Sequence, residues 1–299
     1  MTENETQQNP AAAATPPELR LTCPPFDPAR LRRQMALDAA YRWGVFIVVV
    51  VVLSLGSVLD PSAGHLALLV LVGMVAAWFW LSINSARAMA LVNQASLLIE
   101  QDPIRAETLL AQALKRWPMQ RPLRIMLYHR LAVLRHRQQH YAEAAAIGQE
   151  LLTFNLAGAE RGAGAGWLAG FFSRRGMGPL RANLLLMVVE CRLYLRDLGG
   201  AYQGLMELHG ASLGLLESLQ RMALQTRYEI MAGYYPAALA DLPHKIQMAE
   251  LMPPAHCGAM HAMLAVAARA VGKEDLATWL RQRTELLCTP EQLRALGVE

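Results

Sequence analysis

The chain has 299 residues, 54% of them hydrophobic, a mean hydropathy of +0.21 and a formal net charge of +4. That length predicts one or two domains, the hydropathy is high for a chain that lives wholly in water, and so weak a charge without any nucleic-acid motif argues against a nucleic-acid partner. Cys23, Cys191, Cys257 and Cys288 stand apart with no C-x-x-C pair, which excludes a disulfide framework and a zinc-finger pattern and fits a reducing cytoplasm.

Residues 1–27 are polar, then rich in Ala and Pro. Such a segment buries too little apolar surface to offset its ordering entropy, so a disordered tail is expected. Residues 28–42 read as a short amphipathic helix with Leu31, Met35 and Leu37 against lipid and its arginines at the head groups. Two charge-free apolar runs follow, 43–59 and 65–83, joined by the turn 60–64. A membrane-spanning helix needs about 20 apolar residues, with roughly 17 as the lower end, and both runs qualify. Residues 28–84 are therefore expected to form a juxtamembrane helix and a transmembrane hairpin. Gly44, Ser54, Gly56 and Ser57 in the first run, with Gly64, Gly73, Ala76 and Ala77 in the second, would let the two helices approach closely.

Arg30, Arg32, Arg33 and Arg42 precede the first run and Arg87 follows the second, whereas the turn carries no Lys or Arg. The positive-inside rule then keeps both termini in the cytoplasm. Trp43 and the cluster Trp78-Phe79-Trp80 fall at the same, cytoplasmic interface, where amphipathic rings prefer to sit. An integral protein of the bacterial inner-membrane type is expected.

From residue 85 to 299 the pattern is helical, broken at Pro, Gly or Asn. Residues 102–118 run Asp-Pro into a helix bearing Ala106, Leu110 and Ala113 and close at Trp117-Pro118. Residues 127–152 hold a first helix with Tyr128, Leu131 and Ala132, a turn at 139–144, and a second helix. Weaker copies lie at 198–204, 232–238 and 265–277. Ala106, Ala144, Gly204, Ala238 and Ala277 supply the small residue that two helices need where they cross, at spacings of 38, 60, 34 and 39 residues by subtraction.

This pattern resembles the tetratricopeptide-repeat family, whose unit is about 34 residues. The resemblance covers roughly residues 87–288 and implies an all-α fold: two transmembrane helices, then an α-solenoid of about five helical hairpins, with a Gly-rich insertion at 158–178 in the long gap. Thr289-Pro290 reads as a helix cap that closes the stack.

Two clusters are candidates for binding a partner or lipid. Lys115, Arg116, Arg121, Arg124, Arg130, Arg135 and Arg137 form a run with no Asp or Glu between them, expected either as a solvated face or as a patch for anionic lipid or an acidic peptide. In the insertion, Trp167, Phe171 and Phe172 followed by Arg174 and Arg175 suit either a loop that dips into a bilayer surface or grips a partner, or a flexible linker whose aromatics tuck onto the domain. Its glycines do not match G-x-G-x-x-G and no strand precedes them, so it is not a nucleotide loop. His129, His136 and His140 share a helical face, and His256-Cys257 lies near His261, but neither set has the ligands that zinc requires.

No nucleophile–base pair or paired carboxylates stand out, and neither a catalytic site, a metal nor a cofactor is expected. A tetratricopeptide-like array exposes a groove for a segment of another protein. The expected function is thus a membrane-tethered scaffold that recruits a protein partner. The alternative is an accessory subunit that binds a membrane enzyme through its hairpin, and a dispersed catalytic site ranks below both.

Overall fold

A computed structural model of the chain describes residues 23–58, 64–117, 119–161 and 178–295. Among these residues it is all-helical, without strands. The order is α1 (Pro28–Val58), α2 (Gly64–Leu98), α3 (Pro103–Leu114), α4 (Arg121–Arg137), α5 (Tyr141–Arg161), α6 (Gly178–Tyr194) and α7 (Leu198–His209). Then come α8 (Leu215–Met231), α9 (Tyr235–Ala238), α10 (Leu242–Ala249), α11 (Pro254–Ala270), α12 (Glu274–Leu287) and α13 (Pro290–Ala295).

The first two helices differ from their expected form. Residues 28–42 do not make a separate juxtamembrane helix; they are the first half of the 31-residue α1. Likewise α2 runs for 35 residues, straight through the expected domain boundary at 84–85. At 1.5 Å per residue these are about 46 and 52 Å long, against a hydrocarbon core of about 30 Å. Both are long and apolar enough to cross a membrane. Leu31 and Met35 are not turned toward lipid but buried, because that end of α1 packs on α4 and α5; only Leu37 is exposed. Cys23 is also buried, so residues 23–27 belong to the ordered body rather than to the expected tail. At Gly44 and Gly73 an added Cβ would meet nothing within 4 Å, so neither marks the expected close approach of α1 and α2.

Beyond them, helices pack as successive pairs: α2 with α3, α4 with α5, α6 with α7, α8 with α9, and α11 with α12. Each pair touches the next. Four of the five share one turn. Gln139, Arg196, Gly233 and Gly272 sit at φ of 63°, 61°, 78° and 79°. The following residue in each case, His140, Asp197, Tyr234 or Lys273, donates its N–H to the carbonyl five residues back at 2.7–2.9 Å. That is a left-handed helix end closed by a 6→1 hydrogen bond, which satisfies carbonyls the helix itself cannot. Five residues after each left-handed position stands an alanine: Ala144, Ala201, Ala238 or Ala277, all buried. Ala106 is buried at the matching place in α3, its N–H bonded to Asp102 O at 3.0 Å.

This geometry corrects the expected register of the third pair. The matching residue is Ala201, not Gly204, which makes the spacings 38, 57, 37 and 39. Gly204 lies nearly one turn further along and allows a separate close approach, since a Cβ there would come within 2.5 Å of Val189 Cγ2. At the far end Thr289 caps α13 reciprocally. Gln292 N donates to Thr289 Oγ1 at 3.3 Å, and Thr289 N to Gln292 Oε1 at 3.0 Å.

Two apolar cores result. The larger extends from Cys23 and Leu31 through α7 to Leu224 of α8. The smaller lies among α10, α11 and α12, with Met222, Ala223 and Ile230 of α8 packed against it, so α8 serves both.

Candidate functional site at the apolar boundary

The functional region is built where the apolar halves of α1 and α2 enter the helical body. Above the boundary Trp43, Val48, Leu69, Val72, Trp78 and Trp80 are all at least half exposed. The segment between α3 and α4 closes over both helices just below. Trp117 sets its ring 5.6 Å from that of Tyr41, edge to face, and its carbonyl accepts from Asn84 Nδ2 at 3.5 Å. Gln120 N donates to Ser85 Oγ at 3.3 Å, and Met119 N to Asp38 Oδ1 at 3.5 Å. Tyr41 and Asn84 flank the charge-free runs 43–59 and 65–83, so this segment marks the boundary to within about 3 Å along the helix axes.

Beneath it, charged groups lock α1 into the body. Asp38 and Arg124 are each about 1% exposed and joined twice, Nε to Oδ2 at 2.5 Å and Nη2 to Oδ1 at 3.2 Å. Gln34 Oε1 accepts from Arg124 Nη1 and from the Tyr128 hydroxyl, both at 3.0 Å. One turn toward the N-terminus Arg32 grips Glu150 of α5 with two nitrogens, at 2.6 and 2.8 Å. Arg135, fully buried, lies between Glu107 of α3 (3.2 Å) and Glu143 of α5 (2.9 Å). Those same carboxylates accept the backbone N–H groups of Cys23 (2.9 Å) and Phe26 (3.0 Å).

Burial alone would raise the Glu107 carboxyl, but the Cys23 N–H, the Gln138 amide and Arg135 together hold it below its ordinary value. The Cys23 thiol is pushed up to about 11 by burial and by Glu107, and Cys191 to about 12 by burial and Glu190, so both stay protonated.

The predicted basic run is not one patch. Arg124 and Arg135 are buried and paired with carboxylates of α1, α3 and α5, so they face neither solvent nor lipid. Arg137 is exposed at the far end of α4, about 24 Å along the helix from Arg121, and meets Glu100 at 3.2 Å. Arg130 is half-buried on the middle of α4. Lys115, Arg116 and Arg121 lie on or beside the segment at the boundary. Lys115 is exposed after the end of α3, Arg116 is half-buried, and Arg121 Nη2 donates to Phe154 O of α5 at 3.1 Å. Trp167, Phe171, Phe172, Arg174 and Arg175 lie outside the described residues.

Sequence reading missed Asp38, Glu107, Glu143 and Glu150. One signal was available. Leu31, Met35 and Asp38 follow helical i, i+4, i+7 spacing, so a carboxylate sits on the apolar face of α1 and requires a partner.

The histidines separate too. His129 is half-buried, and burial together with Arg130 pushes it down to about 4. His136 meets Glu190 at 3.5 Å beside Tyr141 and Tyr194. Tyr194 stacks on Tyr141 at 4.3 Å, and Arg227 of α8 stands 4.2 Å from its ring centre. This half-buried strip crosses three successive helix pairs. Among the described residues no three His, Cys, Asp or Glu side chains converge as metal ligands do.

No family model matches the chain, and no curated protein matches it. Among solved structures, the crystal structure of BtubC (BKLC) from P. vanneervenii matches at a TM-score of 0.44 and 18% identity, over 90% of this chain and 93% of that one.

Proposed function

We propose that the protein is a membrane-tethered scaffold. The apolar halves of α1 and α2 cross a bilayer, with both termini and the helical body on its cytoplasmic face. The paired helices form a tetratricopeptide-like solenoid that recruits another protein, and they perform no catalysis. One observation carries the reading. Each of the two long helices passes unbroken between an exposed apolar stretch and a half packed into the body, and α1 is clamped there by Asp38–Arg124 and Arg32–Glu150. Anchor and body then share the same two helices, and tethering raises the local concentration of whatever the body binds, so a modest affinity suffices. The repeated turn and its alanine support the solenoid, because four successive pairs close with the same backbone geometry and bury a small residue at the same place. The strip of His136, Tyr141, Tyr194 and Arg227 is a partly exposed surface shared between pairs, of the kind that holds a peptide.

A second reading, an accessory subunit acting through the membrane, is favoured by Gly44 and Gly73. A Cβ at either would meet nothing, so small-residue facets remain open to foreign helices. Crosslinking in native membranes separates the two. The exchanged anchor must replace only residues 43–83 and retain 23–42 and 84–98, which belong to the body. A scaffold keeps its crosslinked partners after this exchange. Their loss identifies the apolar helices as the binding surface and sinks the scaffold reading.

A further inference from the structure

The segment between α3 and α4 does more than close the helix boundary. It brings Lys115 and Arg116 to that level, in a stretch of sequence poor in carboxylates. Across residues 28–42, 84–99 and 108–124 the only carboxylate is Asp38, and it is shut inside against Arg124. Arg87, exposed, lies three residues beyond Asn84 on α2. Lys115 is exposed, and Arg116 holds its Nε away from water with no hydrogen-bond partner among the described residues. Between them Trp117 is half exposed while its ring is fixed on Tyr41.

We propose that Arg87, Lys115 and Arg116, with Trp117 as the interfacial ring, form a collar that binds the phosphates of anionic phospholipid. The inference rests on the membrane reading of α1 and α2 and adds a lipid class to it. Three features fix the ligand chemistry. The collar lies at the depth where the apolar runs end, which is the head-group layer of a bilayer. Its charge is of one sign, so it complements an anionic leaflet, and each surface cation there contributes about a fivefold preference. A half-exposed Trp joined to these cations is the side chain that favours the same layer.

The test uses the full-length protein in nanodiscs of phosphatidylcholine with and without phosphatidylglycerol, and native mass spectrometry to measure which lipid it carries. The wild type is expected to enrich phosphatidylglycerol. The triple variant Arg87→Gln, Lys115→Gln, Arg116→Gln is expected to lose at least about tenfold of that preference. Unchanged thermal unfolding of the variant in phosphatidylcholine alone shows that the fold survives. Equal enrichment by wild type and variant overturns the collar while leaving the membrane reading intact. Stabilisation of the detergent-solubilised protein by inorganic phosphate, equal to that by phosphatidylglycerol, also overturns it, since a free anion site would explain both. Release of the protein from native membranes by alkaline carbonate would break the membrane reading instead.

Discussion

The two halves of α2 are one continuous helix written for two different surroundings. In its second half Leu81, Ser85, Ala88, Val92 and Ala95, with Ile99 just beyond the helix end, are all buried, at alternating spacings of four and three. The residues between them reach solvent, as on any helix with one apolar face. In the first half that rhythm is gone. Leu68, Leu69, Leu71, Val72, Val75, Trp78, Phe79 and Trp80 are all exposed. An apolar stretch of that length is ordinarily covered, and among the described residues these side chains are not. The difference marks where packing against the helical body begins: at Leu81, one turn above the Trp117 segment.

Breaking the buried half should cost most where charge is involved. Arg124→Ala removes the buried guanidinium that meets Asp38 at two points, and the expected loss is about 3–5 kcal/mol of stability, read from thermal unfolding in detergent. If the variant melted with the wild type, the clamp on α1 would not hold the body. A matched pair of truncations compares the two halves directly. Ile99→Ala, at 5% exposure, should cost about 2–5 kcal/mol, and Leu69→Ala, at 67%, within about 0.5 kcal/mol. Similar costs would mean that the apolar half is packed against protein after all.

Acid supplies a third probe of the body. His129 titrates at about 4 in the fold, below its ordinary 6.5, so the unfolded chain binds the proton first. Stability from this group is complete above pH 6.5 and is lost as the pH falls toward 4, by up to about 3 kcal/mol. His129→Gln should flatten the denaturant midpoint across that window. Glu107, also depressed, would still add an acid loss below its ordinary 4.5, because its contribution too is present at higher pH and fades on protonation. The smallest effect concerns the shared turn. Gly272→Ala, at φ 79°, should cost about 1 kcal/mol, whereas Arg196→Gly at the equivalent position should gain a few tenths to 1 kcal/mol. Chemical denaturation of the two variants tests whether the turns are equivalent in energy as they are in geometry.

Helical character, the two apolar runs and the buried alanines were legible in the sequence because each rests on local spacing. Ala144, Ala238 and Ala277 stand where repeat reading expected them, each preceded by a turn. The third pair was misplaced by three residues because Ala201 and Gly204 are both small. Only the left-handed turn at Arg196, visible in the backbone, decides between them.

The basic residues show the opposite case. Along the sequence, 115–137 is a run of cations without acids, and nothing local says which of them have partners. Those partners, Asp38, Glu107 and Glu143, lie on α1, α3 and α5, brought in by packing. The sequence by itself therefore determined what each helix is made of and where each pair turns, since those depend on neighbours along the chain. Tertiary structure alone decided that α1 and α2 continue into the body, which arginines are buried, and which three remain at the boundary, since burial and charge pairing depend on residues dozens of positions away.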